Sequence, residues 1–187
     1  MIAPATDVVL RTTEVRLDAK LRVLVFDADD RPAASARVNV SAVDAAGKTL
    51  VTDAGGRAAF EGLSNDEVCV RAFQGQPSSD LTIPSEPLRV MPAGQEVELH
   101  LRRGVALIGT VVDPQGSPAS GIHVMAVHQD DIFSSISDTR GRFRIAVAPG
   151  TTYDLRASHP KDKNLTGSRS GVTPGSDDVN IKLGAWK

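Results

Sequence analysis

Along most of this chain apolar side chains return at every second position, in short runs separated by Gly, Pro and Asp. Leu21, Val23 and Val25 fall on one face of an extended run over 21–27, and Val38, Val40 and Ala42 on one face of 36–43. Further strands are predicted at 49–52, 57–63, 67–74 and 96–101. A second series occupies 105–113, 121–128, 132–138, 142–147, 152–158 and 179–183. Turn signals stand between the runs: Asp29-Asp30-Arg31-Pro32, Ala45-Ala46-Gly47-Lys48, Asp53-Ala54-Gly55-Gly56, Pro114 to Pro118, Thr139-Arg140-Gly141 and Ala148-Pro149-Gly150. A stretch punctuated by Pro77, Pro84, Pro87 and Pro92 and a polar stretch over 159–178 read as irregular loops. No run carries a convincing helical period, so the chain is predicted to be all-β.

The two series are copies of one another. Asp27, Pro32 and Val38 in the first answer Asp113, Pro118 and Val124 in the second, each 86 positions on (113 − 27). Thr52-Asp53 and Gly56-Arg57 answer Ser137-Asp138 and Gly141-Arg142 at 85 (138 − 53), and Val97, Leu99 and Leu101 answer Val179, Ile181 and Leu183 at 82 (179 − 97). A long, nearly fixed period means a duplicated folding unit. The expected division is 20–102 and 103–187, with only Arg102, Arg103 and Gly104 between the last strand of one copy and the first of the next. So short a connection predicts a semi-rigid rod. Residues 1–19 hold two more strand-like runs, Asp7-Val8-Val9-Leu10 and Glu14-Val15-Arg16-Leu17. They read as an extra edge strand or as the closing strand of a preceding module.

Composition narrows the function. Of 187 residues, 21 are Lys or Arg and 23 Asp or Glu, so no basic excess supports nucleic-acid binding or attraction to anionic membranes. No apolar run is long enough to span a bilayer, and Met1-Ile2-Ala3-Pro4 lacks the form of a signal peptide, as expected of a chain that is not exported or of a mature or excised segment. Cys69, the single cysteine, rules out a disulfide within the chain and a Cys-rich zinc site; its neighbours Val68 and Val70 point to the opposite face.

The runs Gly141-Arg142-Phe143-Arg144-Ile145, Ala148-Pro149-Gly150-Thr151-Thr152-Tyr153-Asp154-Leu155-Arg156-Ala157 and Gly109-Thr110-Val111-Val112-Asp113, followed by Gly116-Ser117-Pro118 and Gly121-Ile122-His123-Val124, resemble the carboxypeptidase regulatory-like domain. The resemblance covers most of 104–184. It is looser over 20–101, where Asp30 replaces Gly116 and Ser64-Asn65-Asp66 replaces the Pro-Gly-Thr turn. It implies two tandem seven-stranded Greek-key β-sandwiches, prealbumin-like and Ig-like, of the kind found in bacterial surface and secreted proteins. One sandwich hosts many roles, so it implies little about chemistry.

Candidate chemistry is sparse. No His is followed three positions later by Glu, as the zinc site of the parent carboxypeptidases requires; His128 and His159 head the nearest runs. His123 and His128 lie five apart on one predicted strand and face opposite ways, so they cannot chelate together, and His100 reads as a surface residue. Tyr153 is the only tyrosine and Trp186 the only tryptophan, too few for tyrosine-held iron or aromatic sugar platforms. Asn180 has no lysine opposite for an isopeptide crosslink. The acidic groups Asp27/Asp29/Asp30, Asp130/Asp131 and Asp177/Asp178 read as turns. No catalytic, cofactor or metal residue is assigned. The one candidate interaction segment is the basic stretch with His159, Lys161, Lys163 and Arg169, since a polar loop on a rigid scaffold is where binding would sit. The expected function is a non-catalytic spacer or protein-interaction module of a larger, extracytoplasmic bacterial protein. Alternatives are a module that binds polysaccharide or a surface partner through its loops, and an accessory domain of a peptidase. Oligomeric state is left open.

Overall fold

The computed structural model describes residues 18–42, 47–74, 81–129, 131–175 and 179–185. The runs at 7–17, and Ala45, Ala46, Pro77, Asp130, Asp177, Asp178 and Trp186, lie outside the described residues. The described residues form seventeen strands and no helix: β1 (Ala19–Phe26), β2 (Arg37–Ala42), β3 (Lys48–Val51), β4 (Arg57–Leu63), β5 (Val68–Phe73), β6 (Thr82–Ile83), β7 (Leu88–Val90), β8 (Glu96–His100), β9 (Arg102–Arg103), β10 (Val105–Val112), β11 (His123–His128), β12 (Asp131–Ile136), β13 (Arg142–Val147), β14 (Tyr153–Ser158), β15 (Leu165–Val172), β16 (Val179–Lys182) and β17 (Gly184–Ala185).

The first copy builds the sheets β4-β1-β8 and β3-β2-β5-β7; the second builds β13-β10-β16 and β12-β11-β14-β15-β17. Corresponding strands occupy corresponding places. The parallel pairs β1–β8 and β10–β16 match, and the other ladders of these four sheets are antiparallel. The alternating pattern then puts one face of each strand inside. Leu21, Val23, Val25, Val38, Val40 and Phe60 close one core; Leu107, Phe143, Ile145, Val147, Tyr153 and Leu155 close the other. Cys69 lies half-buried on the outer side of β5 while Val68 and Val70 face in.

The polar half of the repeat is explained by backbone bonds. Thr52 Oγ1 accepts from the Ala36 N–H (2.9 Å) and donates to the Ala33 carbonyl (2.6 Å); Ser137 Oγ accepts from Ile122 N–H (2.9 Å) and donates to Ala119 O (2.7 Å). Both hydroxyls are buried, and each satisfies two backbone groups that burial would otherwise leave unpaired, at a cost of about 1–3 kcal/mol. Gly56 and Gly141 take φ of 74° and 73°. A Cβ at either would sit 2.5 Å from a carbonyl, Val25 O or Val111 O, so both conformation and space demand glycine.

Two expectations are corrected. The stretch 159–178 is not one loop, because β15 runs through it and pairs with β14 and β17. Its Gly-Ser-rich residues carry no alternating pattern. They are drawn into a strand by the open edge of β14, and Gly167 lets β16 close in: a Cβ there would lie 2.6 Å from Lys182 O. The proline-punctuated stretch likewise holds β6 and β7, and β6 pairs with β9 inside what read as a bare connection.

Candidate functional site

Among the described residues, turn aspartates bond the backbone of their own turns. Asp27 Oδ1 accepts from the N–H groups of Asp29 (2.8 Å) and Arg31 (2.9 Å), and Asp138 Oδ1 from those of Arg140 and Arg142 (both 2.8 Å). Asp53 and Asp113 do the same at their turns. The Arg31 N–H holds the Asp27 carboxyl below the ordinary carboxylate range, and the Arg142 N–H does so for Asp138. Because the folded-state values lie below the unfolded ones, these carboxylates contribute stability that is complete above about pH 4 and disappears as pH falls through the folded values. In the D27N/D138N double variant the amide oxygens still accept both N–H groups. Its melting temperature is therefore expected to fall less than that of the native chain between about pH 5 and pH 2. Identical acid slopes would show that other groups carry the acid response.

The histidines are dispersed. His100 stacks on Phe26 (ring centroids 4.8 Å apart) with Nδ1 3.1 Å from Asp30 Oδ1. His128 lies edge-on to Tyr153, with Nδ1 2.9 Å from Thr152 O, while His123 is exposed at the start of β11. Among the described residues no group of three His, Cys, Asp or Glu side chains could hold a metal ion. Tyr153 packs edge-on to Phe133, and its hydroxyl accepts from Ala148 N–H (3.0 Å) and donates to Ala148 O (3.4 Å), fixing the Ala148-Pro149-Gly150 turn. Burial pushes its phenol above the ordinary value.

The four residues of the basic stretch lie on two elements, a turn and a strand. His159 Nδ1 accepts from the N–H groups of Lys161 (3.3 Å) and Asp162 (3.0 Å), so its ring closes a tight turn and that nitrogen is not free for a ligand. Lys161 and Lys163 are exposed on this turn. Arg169 sits on β15, in register with Leu155, about 13 Å along the strand from Leu165 at 3.3 Å per residue.

The densest long-range chemistry is at the junction of the two copies. Ile83 of β6, from the first copy, is 2% exposed and belongs to the second core. The strap that carries it is fastened to the first copy as well: Ser85 N–H donates to Ala72 O, and Ser85 Oγ accepts from Ala72 N–H, both at 3.0 Å. Arg71 donates from Nε to Ser85 O (3.1 Å) and from Nη2 to Asp131 Oδ1 of the second copy (2.6 Å), in a pair only 21% and 32% exposed. Arg102 bonds Pro84 O and Glu86, and Arg103 bonds Asp29. Gly104 N–H donates to Leu81 O (2.5 Å). A Cβ at Gly104 would meet Ile83 Cγ2 at 2.8 Å and Val147 O at 2.9 Å. A cleft of about 580 Å³ remains beside the strap, lined by Asp29, Gln74, Thr82, Arg103 and Arg144 among others. Sequence reasoning missed this assembly because its parts come from six separated segments. The nearest signal was the tight packing of Arg102, Arg103 and Gly104 between two predicted strands.

Residues 106–184 match the family model of the carboxypeptidase regulatory-like domain. No curated protein matches the chain. Among solved structures it is similar to the TIE protein of Bacillus anthracis (14% identity, 89% of this chain and 34% of that one, TM-score 0.39). It is also similar to a streptococcal ancillary pilin (13%, 91% and 63%, TM-score 0.37) and to GBS52, the minor pilin of Streptococcus agalactiae (13%, 90% and 97%, TM-score 0.40). The chain thus spans about a third of the first protein and under two thirds of the second. At these identities and scores the likeness adds nothing to the architecture that the strands themselves establish.

Proposed function

We propose, from the match of residues 106–184 to the carboxypeptidase regulatory-like domain model, that the chain is a two-module structural element. Its modules are residues 20–102 and 103–187, and it serves as a non-catalytic spacer or protein-interaction segment of a larger surface or secreted bacterial protein. The observation that carries this reading is Ile83, a side chain of the first module lodged in the core of the second. A contact of that kind resists bending in a way an exposed linker does not. The turn acids and buried hydroxyls support the same reading, because their polar atoms serve the backbone.

The test is a distance measurement between spin labels placed at Glu98 and Asn180, both exposed, on β8 and β16, in a Cys69→Ser background. A spacer of fixed geometry gives one narrow distance distribution. A broad distribution, as from two modules on a free hinge, would overturn the proposal.

A further inference from the structure

Among the edges of these sheets, the outer edge of β12 has the longest uncharged run, five residues from Ile132 to Ile136. The Ser137 N–H donates to Ile122 O (3.0 Å), which sets the phase of the ladder. By the alternation of antiparallel pairing, Asp131, Phe133 and Ser135 bond to β11, and Ile132, Ser134 and Ile136 turn their N–H and C=O groups outward. Those same three residues are exposed, Ile132 to 62% and Ile136 to 58%. Sheet edges are ordinarily protected from pairing by charge, proline or brevity. The other edge strands longer than two residues are interrupted by charge, as by Glu98 on β8 and Arg144 on β13, or, like β3 and β16, have a charge at one end and an uncharged run of three residues, with Leu50 and Val51 of β3 also exposed. On β12 the charge is Asp131, at its first position and bound to Arg71; residues 132–136 have none.

We propose that this edge is a homotypic docking surface: β12 of one copy pairs antiparallel with β12 of a second copy about a two-fold axis through Ser134. The strand is self-complementary in that register. Ile132 of each copy faces Ile136 of the other, Ser134 faces its own equivalent, and Asp131 faces Ser137, so no charge meets a like charge. Three facing pairs supply about six ladder hydrogen bonds. The paired strand is about 20 Å long. The area it covers falls well short of the roughly 1,200 Å² of a stable interface, so the dimer is weak, with a Kd of roughly 0.1–1 mM. Such an edge joins copies held at high local concentration and leaves dilute chains monomeric.

Sedimentation equilibrium of the full chain from about 10 μM to 1 mM tests this. The native chain is expected to reach a weight-average mass of about 1.5 to 1.8 times its monomer mass at the upper end. Ser134→Lys sets two ammonium groups against each other at the axis and should raise Kd at least tenfold; Ser134→Glu should do the same. An equimolar mixture of the two variants should regain association at least as strong as the native. Far-ultraviolet circular dichroism of each variant checks that the exposed substitution leaves the fold intact. A native chain that stays monomeric throughout, single variants that associate like the native, or a mixture that fails to recover would each overturn the proposal.

Discussion

Gly109→Val is expected to destabilise the second sandwich by about 3 kcal/mol, the upper range of core overpacking. A Cβ at Gly109 would lie 2.3 Å from Val179 O and 2.6 Å from Phe143 Cζ. The first obstacle is the backbone of the paired strand β16 and the second a buried ring, and neither can swing aside. For a module of this size the melting temperature should drop by roughly 15 °C. The first copy shows what compensates. At the equivalent place it holds Val23 opposite Ala58, where the second holds Gly109 opposite Phe143. Small and large have changed strands, and both arrangements fill the space between the sheets. Gly109→Val combined with Phe143→Ala should therefore recover part of the loss, leaving the Val179 carbonyl contact as the remainder. Calorimetry of the four-member cycle measures the coupling, expected at about 1–3 kcal/mol. Strict additivity would mean that the two positions do not exchange volume.

Ile83→Ala should remove about 2–5 kcal/mol from the cohesion of the second core, the usual range for truncating a buried isoleucine. Here the loss comes with a loss of coupling, since the residue is held by the first copy through Ser85 and the β6–β9 pair. A single cooperative melt in the native chain should separate into two, and the distance distribution between labels at Glu98 and Asn180 should widen. An unchanged melt with an unchanged distribution would show that the ion pairs hold the junction without Ile83. Those pairs are weaker candidates. Arg103 and Asp29 are largely solvated, where an ion pair contributes about 0–1 kcal/mol.

Much of the fold was readable from local pattern. Leu21, Val23 and Val25, or Phe143, Ile145 and Val147, state by their spacing which face is buried, and Tyr153 was rightly read as core. The stretch over 159–178 was misread because β15 is mostly small and polar between Leu165 and Val172; its strand conformation comes from the neighbour it pairs with. His159, in the candidate interaction segment, closes a turn through Nδ1, a contact that depends on the path of the backbone over three residues.

Taken alone, the sequence settled the strand class, the duplication and the purpose of the turn residues. Alternation, glycine and turn acids act between residues a few positions apart, or through a repeat that can be counted. Tertiary structure alone decided that Ile83 enters the other copy's core, that Gly109 and Phe143 share one volume, and that the uncharged run of β12 from Ile132 to Ile136 lies at a sheet edge. Each of these depends on which strands become neighbours, and that is set by packing across separations of tens of residues, where no local period records it.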